Sequence, residues 1–140
     1  MNALTIDSSV FLSSLLDRDA YHAHSLSFFS HIRTQGAITT LPMIVILEVA
    51  NILTKYGKDP APAINSLMRF ATLAHDQASI EESITVFKRL QLKTSDALVV
   101  WCAYVSESTL ISWDKQLVRQ AQKLVEAMTP TGFLKKMELR

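Results

Sequence analysis

Short apolar runs alternate with longer stretches of helical periodicity along the whole chain. Runs of apolar and β-branched residues predict β-strands over residues 3–6, 36–40, 108–112 and, more weakly, 124–128, with residues 78–82 as one further candidate. Between these runs, apolar positions recur at the three- and four-residue spacing of a helix face. Helices are therefore predicted over residues 10–16, 21–33, 43–56, 63–73, 83–90, 96–105 and 115–123.

Strands separated by helices favour an α/β fold with a mostly parallel sheet, because a crossover helix returns the chain for parallel pairing. We predict one domain over residues 1–140, with a central sheet of four to five short strands flanked by helices. Gly57 marks the clearest helix end, and Pro60 opens the next helix. Residues 134–140 form a charged terminus that is either helical or frayed.

Composition places limits on the class of protein. With 49% hydrophobic and 19% charged residues among 140, the chain has enough apolar material for one core. A net charge of +1 neither supports nor excludes a nucleic-acid partner, because a basic groove and an acidic site cancel in the sum. The lone Cys102 excludes a disulfide within the chain, and neither a leader nor a membrane span is evident, so we expect a cytoplasmic protein.

Two acidic residues follow predicted strands. Asp7 comes after the first strand, and Asp114 comes after the strand at 108–112, whose last residue, Ser112, carries a hydroxyl. Open parallel sheets bind ligands at the carboxyl ends of their strands, so we expect these groups to lie close together. Capping of the following helix is the alternative for each carboxylate, since short oxygen-bearing side chains accept from the unpaired N–H groups there.

Two more acids fall on predicted helices. Glu48 lies on an otherwise apolar helix stripe, where a charge requires a partner such as an arginine, a position that reaches water, or a binding site. Asp96 falls in the first turn of its helix, where a carboxylate interacts favourably with the helix dipole. Thr94 or Ser95 is the candidate cap of that helix.

The four acids share one chemistry if the fold brings them together. Carboxylates gathered at one place repel one another, so they are retained where a proton or a cation is shared. A set without Cys or His prefers a hard cation, Mg²⁺ or Mn²⁺, over zinc. Two such ions activate water and stabilise the leaving oxygen in phosphodiester cleavage. The candidate metal ligands are therefore Asp7, Glu48, Asp96 and Asp114.

Other chemical groups have simpler structural interpretations. Two basic clusters either contact RNA phosphates or form a solvated face; they are Lys88, Arg89 and Lys93, and Lys115, Arg119 and Lys123. His22 and His24 point in different directions on a helix, which disfavours a metal site. Trp101, Tyr104 and Trp113 are interpreted as core or interface residues, because no basic stripe interleaves them as in a base-stacking platform.

The acids lie in four segments: LTIDSSV, LPMIVILEVANIL, LKTSDALVVWCAYV and TLISWD. As an ordered set, these segments resemble the PIN domain of VapC-type toxin ribonucleases. By this resemblance Asp7, Glu48, Asp96 and Asp114 match the acidic quartet of the family. Ser112 matches the hydroxyl residue that usually precedes the last acid by two positions.

The resemblance implies a PIN-like fold and a Mg²⁺- or Mn²⁺-dependent endoribonuclease that cleaves RNA as the toxin of a toxin–antitoxin pair. It also implies a homodimer that is silenced by a cognate antitoxin protein. Lys115 and Gln116 follow Asp114 where many relatives carry another acid, so a second metal ion is expected to bind weakly or only together with RNA. The alternative is a non-catalytic protein-binding module on the same fold. A phospho-receiver domain fits less well, because no second acid adjoins Asp7.

Overall fold

A computed structural model describes residues 2–74 and 80–139 of the chain. Its strands are Ala3–Ile6 (β1), Ile38–Leu41 (β2), Thr72–Leu73 (β3), Thr109–Ile111 (β4) and Ala127–Met128 (β5). Its helices are Ser8–Leu15 (α1), His22–Gln35 (α2), Met43–Lys55 (α3), Ala61–Phe70 (α4), Ile80–Arg89 (α5), Thr94–Val105 (α6), Lys115–Ala121 (α7) and Pro130–Glu138 (α8). No helix in these ranges is long and apolar enough to cross a membrane.

The five strands form one sheet in the order β3-β2-β1-β4-β5, and every neighbouring pair is parallel. The predicted α/β class is confirmed. β1 is the central strand, because Leu4 lies opposite Thr39 of β2 on one side and Thr109 of β4 on the other. The carboxyl ends of β1 and β4 flank the point where the strand order reverses, which is the usual ligand site of an open parallel sheet.

Helices cover both faces of the sheet, which is why its central strands are apolar on both sides. Leu4, Ile6, Leu110 and Ile111 are fully buried. α6 packs against β1, β2 and β4, and its residues 99–103 are all buried. This packing fixes the positions of the residues that follow β1 and β4.

Two glycines end helices, and the sequence predicts one of them, Gly57. Gly36 follows α2 with φ of +65°, and Gly57 follows α3 with φ of +73°. Glycine adopts this left-handed conformation without the steric cost that a Cβ atom adds. Pro60 immediately precedes α4, as expected for a residue with a helical φ and no N–H to donate.

Two predicted elements are wrong. The helix expected over residues 63–73 ends at Phe70, and Thr72–Leu73 forms β3 instead, because this segment pairs with β2. The Ala74 N–H extends that pairing by donating to Leu41 O at 2.9 Å. The strand candidate at 78–82 fails where it is described, since residues 80–82 belong to α5; residues 78 and 79 lie outside the described residues.

Two further predictions change at the end of the chain. The strand expected over residues 124–128 shortens to β5, because the N–H groups of Leu124 and Val125 both donate to Ala121 O and prolong the turn after α7. The terminal segment is helical rather than frayed. α8 begins after Thr129, whose side chain accepts a hydrogen bond from the Gly132 N–H and caps the helix.

Candidate active site

Asp7 lies at the carboxyl end of the central strand. Its backbone N–H donates to Ile111 O at 2.9 Å, so the pairing of β1 with β4 continues to this residue. Asp7 occupies the N-cap position of α1, yet its side chain makes no capping hydrogen bond. Only 6% of the residue is exposed. Capping therefore does not explain this buried carboxylate, and the alternative raised from the sequence is wrong.

Two serine hydroxyls hold one oxygen of Asp7. Ser9 Oγ and Ser112 Oγ each donate to Oδ2 at 2.8 Å. Each hydroxyl also accepts a backbone N–H, that of Trp113 at 3.1 Å on Ser9 and that of Asp114 at 3.0 Å on Ser112. Within the described ranges, Asp7 Oδ1 has no hydrogen-bond partner. The geometry thus orients the carboxylate and leaves one oxygen available to a ligand.

Ser9 is a site residue that the sequence reasoning passed over. Its only signal in the sequence is its position two residues after Asp7. Both partners of its hydroxyl besides Asp7 come from the far end of the chain, since Ser112 Oγ lies 3.3 Å away and the Trp113 N–H donates to it. Local patterns do not report such contacts.

Asp114 both caps a helix and lies beside the other acids. Its Oδ1 accepts from the N–H groups of Gln116 at 3.0 Å and Leu117 at 3.1 Å, so the capping interpretation is correct for this oxygen. Oδ2 is not used in the cap. The residue is exposed, and its charge raises the pKa of Asp96. Capping and participation in an acidic site are therefore compatible here.

Glu48 lies half-buried on α3, facing the same acids. Burial is the largest cause of a raised pKa for its carboxyl group, and the charges of Asp7 and Asp96 raise that pKa further. Lys93 acts in the opposite direction. No ion pair found in the described part of the chain involves Glu48, so the arginine partner considered from the sequence is not present there.

Asp96 lies in the first turn of α6, as predicted, but the expected caps are wrong. The N-cap residue is Lys93, and its side chain makes no capping hydrogen bond. Thr94 is already the first helical residue, and Ser95 follows it inside the helix. The first turn of α6 therefore contains Asp96, and no side chain at the N-cap position caps this helix.

The charges of neighbouring acids contribute to the raised pKa values of both Glu48 and Asp96. Burial is the largest cause of a raised pKa for Asp96; Lys93 opposes it, while Asp7 and Asp114 reinforce it. Asp7 also acts on Glu48. Such mutual repulsion requires proximity, because opposed or shared charges shift pKa values mainly over short distances. The fold therefore brings together the acids that stand far apart in the chain.

We call the four candidate ligands the acidic cluster: Asp7, Glu48, Asp96 and Asp114. Their chemistry suits a hard divalent cation, because every candidate ligand atom is a carboxylate oxygen. In residues 2–74 and 80–139, no three His, Cys, Asp or Glu side chains are close enough to enclose one ion. Burial and the neighbouring negative charges raise the pKa values of Glu48 and Asp96, so their charged forms are incompletely compensated in the metal-free protein. A bound cation compensates such charges, so the donor chemistry of these carboxylates fits a divalent ion.

The basic, aromatic and histidine side chains considered from the sequence differ in their exposure and contacts. All six basic candidates are exposed: Lys88, Arg89, Lys93, Lys115, Arg119 and Lys123. Lys93 alone among them acts on the pKa values of the described acids. Trp101 and Trp113 are buried, as predicted, whereas Tyr104 is 44% exposed. His22 Nδ1 lies 2.8 Å from Ser13 O, so this ring nitrogen has a structural partner.

A groove of about 770 Å³ lies between α1, α2 and α4. Three phenylalanine rings in mutual contact, with centroids 5.1 to 6.3 Å apart, line it: Phe11, Phe29 and Phe70. Its other lining residues include three cations and one acid: Arg33, Lys58, Arg69 and Asp59. An apolar floor with a cationic border suits a segment that combines apolar and acidic side chains.

The parallel sheet and its helices define an α/β domain in which Asp7 and Asp114 follow the adjacent strands β1 and β4 at the switch point. The PIN domain family matches residues 4–123 of this chain. The chain therefore belongs to the PIN domain family, as the resemblance in its motifs suggested. Among curated proteins, none matches it significantly.

Several solved structures have the same fold, among them one described as a toxin and one described as a toxin–antitoxin complex. PAE2754 from Pyrobaculum aerophilum is 19% identical with a TM-score of 0.68, over 99% of this chain and 97% of that chain. VapC20 from Mycobacterium tuberculosis, a sarcin-ricin loop cleaving toxin, is 15% identical with a TM-score of 0.70, over 88% and 97%. A toxin–antitoxin complex from Klebsiella pneumoniae matches at 16% identity and a TM-score of 0.67, over 91% and 97%. At these identities the likeness establishes the fold.

Proposed function

We propose that this protein is a divalent-metal-dependent endoribonuclease that hydrolyses RNA phosphodiester bonds in the cytoplasm, as the toxin of a toxin–antitoxin pair. The proposal is supported by the position of Asp7 and Asp114 after the adjacent strands β1 and β4, and by the effect of neighbouring acids on the pKa values of Glu48 and Asp96. PIN nucleases generally use divalent metals, and VapC20, which shares the fold, is an RNA-cleaving toxin by its description.

The proposal assigns a role to each of the four acids and to the two serines that bind Asp7. Asp7, Asp96 and Asp114 hold the metal, and Glu48 either binds it or orients the attacking water. Ser9 and Ser112 keep Asp7 Oδ2 occupied, so that Oδ1 is the oxygen offered to the ion. When bound, the cation supplies an activated water and stabilises the charge that develops on the phosphate.

The first test is Mn²⁺ binding measured by electron paramagnetic resonance, comparing wild type with Asp7→Asn. Asp59→Asn is the matched control, because Asp59 is an exposed carboxylate whose Oδ1 accepts from the Ala61 N–H, and an Asn oxygen preserves that bond. We expect Asp7→Asn to lose Mn²⁺ binding and metal-dependent RNA cleavage while remaining folded, and Asp59→Asn to retain both. Metal-dependent cleavage by folded Asp7→Asn contradicts the assignment of the site.

The same measurements separate the nuclease from the alternative. A wild-type protein that neither binds Mn²⁺ at millimolar concentration nor cleaves RNA supports the protein-binding module on a PIN fold. Dimer formation, which the family resemblance implies, is part of the proposal and is tested by sedimentation velocity of the wild type. A monomer at every concentration contradicts that part alone.

The proposed antitoxin partner has a candidate surface in the groove between α1, α2 and α4. The apolar floor and the cations Arg33, Lys58 and Arg69 favour a partner segment with apolar and acidic side chains. We expect Lys58→Glu to weaken copurification of the protein encoded by the neighbouring gene. Lys55→Glu is the control, since Lys55 is exposed but does not line the groove. Equal copurification of both variants contradicts this placement.

A further inference from the structure

Tyr21 forms an aromatic stack with Trp113, the residue between Ser112 and Asp114. Its ring lies parallel to that of Trp113, with an interplanar angle of 7° and centroids 4.1 Å apart. Trp113 is 9% exposed, whereas Tyr21 is 38% exposed. One face of the Tyr21 ring is therefore covered by the indole, while more than a third of the residue is open to solvent.

The stack is held rigidly from both sides. The Trp113 indole N–H donates to Ser25 Oγ at 2.7 Å, and Ser25 is fully buried and hydrogen-bonded to Ser13. The Tyr21 backbone N–H donates to Asp19 Oδ1 at 2.8 Å. A side chain that is already ordered loses little conformational entropy when a ligand packs on it.

The stack is also tied to the candidate metal ligands. Trp113 lies between Ser112 and Asp114 in the chain, and its backbone N–H donates to Ser9 Oγ, which in turn donates to Asp7. Tyr21 thus stacks on Trp113, which adjoins Asp114 in the chain and is hydrogen-bonded to Ser9. The aromatic stack is therefore joined, through Trp113, to the chain neighbour Asp114 and to the serine that holds Asp7.

We propose that Tyr21 is a nucleobase-binding residue, whose outer ring face stacks on a base of single-stranded RNA next to the phosphate at the acidic cluster. The inference rests on the proposed ribonuclease function and adds a base-binding position to it. Stacking on an aromatic ring accepts every base, because each base has a π face. The site therefore orders the nucleotide that flanks the scissile bond.

A purely structural role for Tyr21, as a cover for Trp113, makes a different prediction. Any large apolar side chain covers the indole, so Tyr21→Leu preserves that role and removes only the flat ring. Tyr21→Phe preserves the ring and removes the hydroxyl. The pair of variants therefore separates stacking from covering, and Tyr56→Leu is a control at another exposed tyrosine.

The test is the affinity for a short fluorescein-labelled single-stranded RNA, measured by fluorescence anisotropy with Ca²⁺ in place of Mg²⁺, together with wild-type RNA cleavage in Mg²⁺. Stacking predicts that Tyr21→Leu weakens binding by roughly tenfold, while Tyr21→Phe and Tyr56→Leu stay within about twofold of wild type. Should Tyr21→Leu fail to fold, ¹³C-labelled tyrosine in the wild type replaces it, and an upfield shift of the Tyr21 ring signals on adding RNA is the expected result.

The outcomes distinguish this inference from the proposed function. Unchanged binding by Tyr21→Leu, or unmoved Tyr21 signals, overturns the inference even when the wild type cleaves RNA. Equal weakening by Leu and Phe also overturns it, because it assigns the effect to the hydroxyl. A wild type that neither binds nor cleaves RNA overturns the proposed function and this inference with it.

Discussion

The hydroxyl of Ser112 provides the most direct quantitative test of the acidic site. Ser112 is fully buried, donates to Asp7 Oδ2 at 2.8 Å and accepts from the Asp114 N–H at 3.0 Å. A hydrogen bond to a charged group contributes about 1.5–3 kcal/mol, and an N–H left without its acceptor adds a further cost. We therefore expect Ser112→Ala to lower the free energy of unfolding of the metal-free protein by about 2–4 kcal/mol.

Ser9→Ala is the matched comparison, because its hydroxyl donates to the same Asp7 oxygen at the same distance. Ser9 is only half-buried, so water replaces part of what the hydroxyl provides. Its removal should lower the free energy of unfolding by about 1 kcal/mol. The difference between the two variants isolates the effect of burial at otherwise similar hydrogen bonds.

Both values are measured by urea denaturation of metal-free protein at constant pH, with the slope of each transition checked for two-state behaviour. A double-mutant cycle of Ser112→Ala with Asp7→Ala should give a coupling energy of about 1.5–3 kcal/mol. A loss below about 0.5 kcal/mol for Ser112→Ala, or a coupling energy near zero, refutes the reasoning. Either result means that the hydroxyl does not hold the carboxylate in solution.

Further predictions concern charge and backbone conformation. Because the folded state raises the pKa of Glu48 and Asp96, it retains protons there that the unfolded chain has released, so the contribution of these two groups to the stability of the metal-free protein falls as pH rises through the carboxylate range. Glu48→Gln should reduce this fall and stabilise the metal-free protein at pH 7 by less than about 1 kcal/mol, given screening by solvent, and urea denaturation across pH checks the sign. Gly57→Ala should cost about 1–2 kcal/mol, since φ there is +73°, and Gly57→Asn should cost less. Thermal unfolding measures this difference, and equal melting temperatures contradict it.

The sequence was sufficient to predict the fold class because its strands and helices carry different periodicities. It was also sufficient to place Asp7 and Asp114 at strand ends, since each directly follows or closely follows a run of buried residues. It failed at β3, where Thr72–Leu73 continues the apolar spacing of α4 and only the pairing with β2 reveals a strand. An edge strand of this length has no periodicity of its own.

Contacts between distant segments account for the site residues that sequence patterns did not reveal. Ser9 has a local neighbour in Asp7, but its role depends on the Trp113 N–H. The sequence predicts only that Tyr21 begins a helix, whereas the structure shows its ring stacked on Trp113. The sequence places Trp113 correctly in the core, yet it contains no signal that another aromatic ring covers the indole.

The central position of β1 also determines when, during synthesis of the chain, the acidic site can assemble. Leu4 pairs early with Thr39, but its pairing with Thr109 must await most of the chain, and that pairing brings Ser112 to Asp7. Closing so long a loop is slow, because its entropy is lost before the contacts that compensate it form. A chain released early from the ribosome would contain Asp7, Glu48 and even Asp96 but lack β4. Incomplete translation products of this protein should therefore be unable to assemble the acidic site.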